Sequence, residues 1–201
     1  LAEGTYRIEA FSDGVFAIAI TLLVLEIRLQ HAGVEGGLRA GLVALWPYYL
    51  AFALSFFVIL VSWIAHHDLM RLVHTTNRPL QLANGCVLAY VTFIPFPTSV
   101  LAASLRGSEI STAVAFYCGT FVLGSGAFNL LIETIARGQL RPEVDAQTIG
   151  RVRRGVRMAF TIYVAATLIA LVAPWWALAL NVAVRVYLLR LRYQPVPLVA
   201  T

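Results

Sequence analysis

The sequence predicts an all-α polytopic membrane protein, six transmembrane helices in a single unit with both termini in the cytoplasm. Three observations carry that expectation. Of 201 residues, 60% are hydrophobic and 12% charged, and the mean hydropathy is +0.80; a water-soluble domain carries about 25% charged residues. The apolar residues gather in runs near the ~20 residues that a helix needs to cross ~30 Å of hydrocarbon. The basic residues, all 15 of them arginine, concentrate in alternate connections between those runs.

The first run covers about residues 11–29 and the second about 42–65, with Trp46 and Trp63 near its ends as interfacial anchors. The third, about 80–105, contains Pro95 and Pro97, and the fourth, about 110–136, carries Gly119, Gly124 and Gly126 as candidate close-packing points. Pro174 separates a fifth, about 156–173, from a sixth, about 175–191, that is short and contains Asn181 and Arg185. It can still cross if Arg185 snorkels to the interface.

Sorting the arginines by connection sets the orientation. Twelve lie on one side: Arg7, two in the second loop, six between Arg137 and Arg157, and Arg185, Arg190 and Arg192. Arg28, Arg39 and Arg106 lie on the other. The positive-inside rule therefore places both ends in the cytoplasm, as an even number of spans requires. Topology and anionic headgroups account for the net charge of +5, and no basic patch interleaved with base-stacking aromatics points to a nucleic-acid partner. The first span carries an acid in its entry and has no small-residue cleavage site, so it reads as an anchor and not a removable signal. Cys86 and Cys118 fall inside spans without metal or disulfide spacing and read as small buried apolar residues. Residues 1–201 form one membrane domain, because the polar connection 137–154 is too short to fold alone.

The entry to the first span is the most informative stretch. Arg7, Phe11, Ser12 and Asp13 precede small and branched apolar residues, an odd composition for a helix that only fills lipid. Ile18, Leu22 and Leu25 then follow at i, i+4 and i+7, one stripe of a helix, with Thr21 on nearly the same face. By periodicity alone this stripe reads as a packing or lipid-facing surface. Ser12 and Asp13 are also good capping residues.

Taken together, Arg7, Phe11-Ser12-Asp13-Gly14, the Ile18 to Thr21 interval and Leu25-Glu26-Ile27 resemble the first-helix signature of the transmembrane protein 175 family of potassium channels, whose animal members serve endosomes and lysosomes. Trp63 and His66, Asn84, and Ile94-Pro95-Phe96-Pro97-Thr98 are similar to the family's later motifs, while the second half resembles it by hydropathy alone. Animal members carry two six-helix units; one unit is similar to the prokaryotic form, which implies a homotetramer in the cell (plasma) membrane.

The resemblance implies a potassium-preferring cation channel whose pore is lined by the first helix. Ile18, Leu22 and Leu25 would form apolar constriction rings that gate by dewetting. Thr21 is the implied selectivity contributor, and the chain has no carbonyl-filter loop. Glu26 would concentrate cations at the outer mouth, against the plainer reading of interfacial solvation. Arg7, Phe11, Ser12, Asp13, Trp63, His66 and Asn84 are expected to form a structural network that holds the pore helix. The implied partners are further copies of the chain, monovalent cations and membrane lipids, with no cofactor beyond permeant potassium.

Other clusters read as structural. His66 and His67 diverge by about 100° on a helix and do not readily share a metal ion. Asp68 with Arg71, and Glu133 with Arg137, have the spacing of intrahelical ion pairs. No Ser-His, paired-Asp or His-Glu-x-x-His arrangement supports an enzyme. A secondary ion transporter of the inner membrane is the alternative, with the Pro95–Pro97 pair as its only hint of a broken helix.

Overall fold

Bilayer-spanning backbone must satisfy its own hydrogen bonds, and helices do so within one segment. The computed structural model describes residues 3–28 and 37–192, and every extended element among them is helical. α1 (Glu3–Leu22) tightens into a 3-10 turn (Leu23–Glu26). There follow α2 (Gly37–Ala44), α3 (Trp46–Met70), α4 (Arg78–Phe93), α5 (Pro95–Ser104), α6 (Ile110–Ala136), α7 (Ala146–Ala170) and α8 (Pro174–Arg192).

Local chemistry explains the boundaries. Pro47, Pro79, Pro95 and Pro174 all stand in the first turn of a helix, where a missing N–H costs nothing. Asn77 caps α4 by accepting from Leu80 N at 3.0 Å, and Asp145 caps α7 by accepting from Thr148 N. The expected third span is two helices, because Pro95 cannot donate to the turn before it. Ile94 N closes the turn by donating to Val91 O at 3.2 Å, the carbonyl that Pro95 cannot serve.

Four segments are long and apolar enough to cross a bilayer: Thr5–Glu26, Trp46–Met70, Arg78–Ser104 and Ile110–Ala136. The helix that contains the expected fifth span starts ten residues before it, at Ala146, because the Asp145 cap begins a helix whose first half carries four arginines. The apolar part of α8, Pro174–Leu189, is shorter than the four. The first span's α-helix stops at Leu22, and its expected limit at Leu29 lies outside the described residues.

α6 is the central post. It packs against α4, α5, α7 and α8, and Tyr117, Phe121, Leu131, Ile132 and Ile135 are fully enclosed along it. Of the three glycines expected to allow close packing, Gly124 is the tight one: a Cβ there would sit 2.4 Å from the Tyr90 ring. Gly119 would meet Thr167 at 3.9 Å, and Gly126 opens on free space. α1 packs on α3 and α4. The loops after α3 and α6 join edge to edge, with Val73 bridged to Leu140, His74 N donating to Gln139 O at 2.7 Å and Arg141 N to Leu72 O at 2.9 Å. Those two loops therefore share one end of the bundle.

Three expectations change here. Cys118 is buried, but Cys86 is exposed on the outer face of α4. Glu133 turns away from Arg137 and bridges α7 instead, 2.6 Å from Arg153 and 2.9 Å from Arg157; Arg137 occupies the helix C-cap, where the chain leaves α6. Asp68 and Arg71 form no ion pair among the described residues.

Candidate functional site

α1 presents two unlike faces. One carries Ser12, Phe16, Ala19 and Leu23, all buried against α3 and α4. The other carries Ile18, Leu22 and Leu25, which are 61%, 42% and 56% exposed in the single chain. Leu22 and Leu25 stand one above the other, because Leu25 falls in the 3-10 turn, where residues three apart eclipse. Thr21 shares the open face, and its hydroxyl donates to Ile18 O at 2.8 Å, which leaves the oxygen able to accept. Glu26 ends the turn half-buried, and Arg28 Nε closes it by donating to Leu25 O at 2.9 Å.

The buried face is fixed by directed polar contacts. His66 Nε2 donates to Asn84 Oδ1 at 2.7 Å, Asn84 Nδ2 donates to Ser12 Oγ at 3.0 Å, and Ser12 Oγ donates to Ile8 O at 2.8 Å. Every donor in that relay points toward the α1 backbone, so each bond polarises the next. Beside it, Trp63 Nε1 donates to Asp13 Oδ1 at 2.8 Å, and His67 Nδ1 lies 2.9 Å from Glu9 Oε1. Asp13 and Glu9 are four apart on α1, and Trp63 and His67 are four apart on α3. They make two rungs of an antiparallel helix pair, the first a hydrogen bond and the second a close contact without hydrogen-bond geometry. The Phe16 ring adds an apolar contact, 5.4 Å from the imidazole of His66.

The structure thus brings together Ser12, Asp13, Trp63, His66 and Asn84. Arg7 and Phe11 stay outside, both exposed and without a hydrogen bond to the relay, because their positions on α1 put them on the open face. Trp63 lies inside α3 and its indole is engaged with α1, which differs from a free interfacial anchor. The Glu9–His67 rung escaped sequence reasoning, although the repeated spacing of four on both helices was its available signal.

A second polar cluster was not legible at all. Ser55 Oγ lies 2.7 Å from Thr98 Oγ1 and 2.8 Å from Tyr117 Oη, beside the Pro95 break. Arg185 does not snorkel: it is 4% exposed, with its guanidinium 4.5 Å over Phe121 and 5.1 Å over Tyr163. Those two rings and a hydrogen bond with the Tyr90 side chain compensate there for the missing interface. Among the described residues no group of three or more His, Cys, Asp or Glu could hold a metal ion.

Comparison with known proteins follows the same stretch. Residues 7–95 match the family model described as the endosomal/lysosomal potassium channel TMEM175. A potassium channel of Chamaesiphon minutus is 40% identical over 187 residues, 91% of this chain and 92% of its own. One from Streptomyces collinus is 42% identical over 159 residues, 78% of this chain and 75% of its own. The human endosomal/lysosomal proton channel TMEM175 is 34% identical over 140 residues, 62% of this chain but 28% of that one. The crystal structure of the Chamaesiphon minutus homologue of the lysosomal potassium-selective channel superposes with a TM-score of 0.85 at 39% identity, over 93% of this chain and 97% of that one.

Proposed function

The chain belongs to the TMEM175 family, and from that membership we propose that it is a potassium-preferring cation channel, a homotetramer around the open face of α1. The single observation that carries this reading is the division of α1 into a clamped polar-apolar face and an unpartnered apolar stripe. A helix fixed so firmly on one side holds its other side at a defined angle to whatever lies beyond the chain. Four copies would stack Ile18, Leu22 and Leu25 into rings around a water column. A hydrated ion there loses waters with nothing polar in exchange, so the rings gate by dewetting.

Selection would come from width, partial dehydration and few oxygens. Thr21 supplies an oxygen ring within the stripe, since its proton is already committed to Ile18 O. Potassium sheds water more readily than sodium, which favours it at such a constriction. Four copies of Glu26 raise the local cation concentration at the outer mouth. Ser12, Asp13, Trp63, His66 and Asn84 act as the scaffold of the pore helix and do not touch the ion.

In this reading residues 1–201 form one six-span unit of the plasma membrane, with α7 and α8 completing the count. The end of the bundle that holds the joined loops after α3 and α6 gathers Arg71, Arg78, Arg137 and Arg141 and is the cytoplasmic one. The relatives are named as channels, and a non-enzymatic role agrees with them.

The test is bi-ionic potassium and sodium recording from reconstituted liposomes. Ile18→Asn and Leu25→Ala should widen conduction and lower potassium preference. Coupled, stoichiometric exchange in place of current down either gradient would point to a transporter and overturn the reading. Asp13→Ala in the same system should cut tetramer yield far more than it alters ion preference; the opposite pattern refutes the scaffold role.

A further inference from the structure

α1 packs on α3 and α4, whereas α7 packs on α6 and α8. The outer face of α7 therefore borders a different environment from the α1 stripe. Down it run Arg154, Arg157, Thr161, Leu168 and Leu171, all exposed and spaced by threes, fours and a seven, so they share one face. Charge stands at one end of this face and hydrocarbon at the other. That is the polarity of a phospholipid lying along the helix.

A groove of about 390 Å³ opens between α6 and α7, lined by Gly126, Asn129, Arg157, Phe160 and Thr161. It is an open trough on the helix surface, a shape that suits a chain lying along it. Gly126 forms part of its wall, and a Cβ there would meet nothing within 4 Å. At its mouth Glu133 is shared by Arg153 at 2.6 Å and Arg157 at 2.9 Å. One carboxylate between two guanidiniums leaves a positive charge uncompensated, and Arg137 and Arg154 add to it. Over residues 133–157 six arginines face three acids, Glu133, Glu143 and Asp145. Arg157 uses only Nη2 on Glu133, so most of its five N–H donors point elsewhere.

Asn129 adds headgroup chemistry. Its Nδ2 is committed to Ser125 O at 2.8 Å and Val156 O at 3.4 Å, so Oδ1 is left as an acceptor. A headgroup that offers hydroxyl donors beside an anionic phosphate suits this pair of groups; a methylated ammonium headgroup does not.

We propose that the α6–α7 groove binds one anionic glycerophospholipid, its phosphate on Arg157 and an acyl chain laid over Gly126 and beside Phe160. Arg153 holds Glu133 in place and so keeps Arg157 from folding fully onto it. The site concerns lipid, and its readouts are independent of ion conduction.

Native mass spectrometry of the purified full chain, exchanged against phosphatidylglycerol or phosphatidylcholine, tests the site. Phosphatidylglycerol should be retained in preference. Arg157→Gln should weaken its retention about fivefold, the factor expected for one basic residue at an anionic surface, while Arg157→Lys should restore most of it. Gly126→Leu, which adds a side chain to the groove wall where a Cβ meets nothing within 4 Å, should reduce retention with every arginine in place. Inorganic phosphate at matching concentration should not displace the lipid. Equal retention of the two lipids, unchanged retention in both Arg157→Gln and Gly126→Leu, displacement by phosphate alone, or loss of subunit assembly in Gly126→Leu, the mark of a second copy in the groove, would each overturn it.

Discussion

Where α1 meets α3 and α4, the contacts are directed: an indole on a carboxylate at 2.8 Å and a one-way relay from His66 through Asn84 to Ser12. Where α8 meets α6 and α7, a guanidinium rests on two aromatic rings without a carboxylate among its contacts, and Asn181 Nδ2 reaches the Cys118 sulfur at 3.1 Å. Hydrogen bonds fail steeply with angle and distance, whereas ring faces tolerate sliding. The first corner therefore sets one rotation of α1, and the second tolerates small adjustments. A helix whose outward face must keep an angular position needs the first kind of contact.

Thermal unfolding in a fixed detergent micelle can break or sharpen this contrast. Asn84→Leu keeps the branching and number of side-chain heavy atoms but strands buried His66 and removes the bond to Ser12, and it should cost about 3 kcal/mol, the largest effect. Gly124→Ala drives a methyl into the Tyr90 ring, where the approach would be 2.4 Å, and should cost ~1–3 kcal/mol by overpacking. Arg185→Met loses two cation–π contacts and a hydrogen bond with Tyr90 but also removes a buried charge, so stability should stay within about 1 kcal/mol of the parent. A loss as large as that of Asn84→Leu would erase the distinction between the two corners.

The smallest effect belongs to Asp145, outside the bundle. Hydrogen bonds from the Thr148 hydroxyl and backbone N–H hold its carboxyl below the usual carboxylate range. Its contribution is complete above its ordinary value of about 3.9 and is lost as pH falls through the depressed one. Asp145→Asn should flatten the acid limb of a stability-against-pH curve and leave the neutral region nearly unchanged.

Much of this was legible in local sequence. Four apolar runs matched helices long enough to span, and the prolines marked helix starts. The residues of the α1 anchor were recognisable from a motif that also includes Arg7 and Phe11, and helix geometry turns those two to the open face of the chain. Arg185 in a short apolar helix looked like a snorkelling residue, because hydropathy has no sense of which face a neighbour covers. The α7 start was missed since four arginines lower hydropathy without opposing helix formation.

What the chain alone determined is its solvent and its helices. Apolar run length and the need to close each backbone hydrogen bond within a segment are short-range constraints, written in neighbouring residues. Only the tertiary structure decided that Glu133 joins α7, that Trp63 finds Asp13 fifty residues away, and that Arg185 faces two rings. Those pairings depend on the rotation and register of one helix against another, and the packing of the whole bundle sets both.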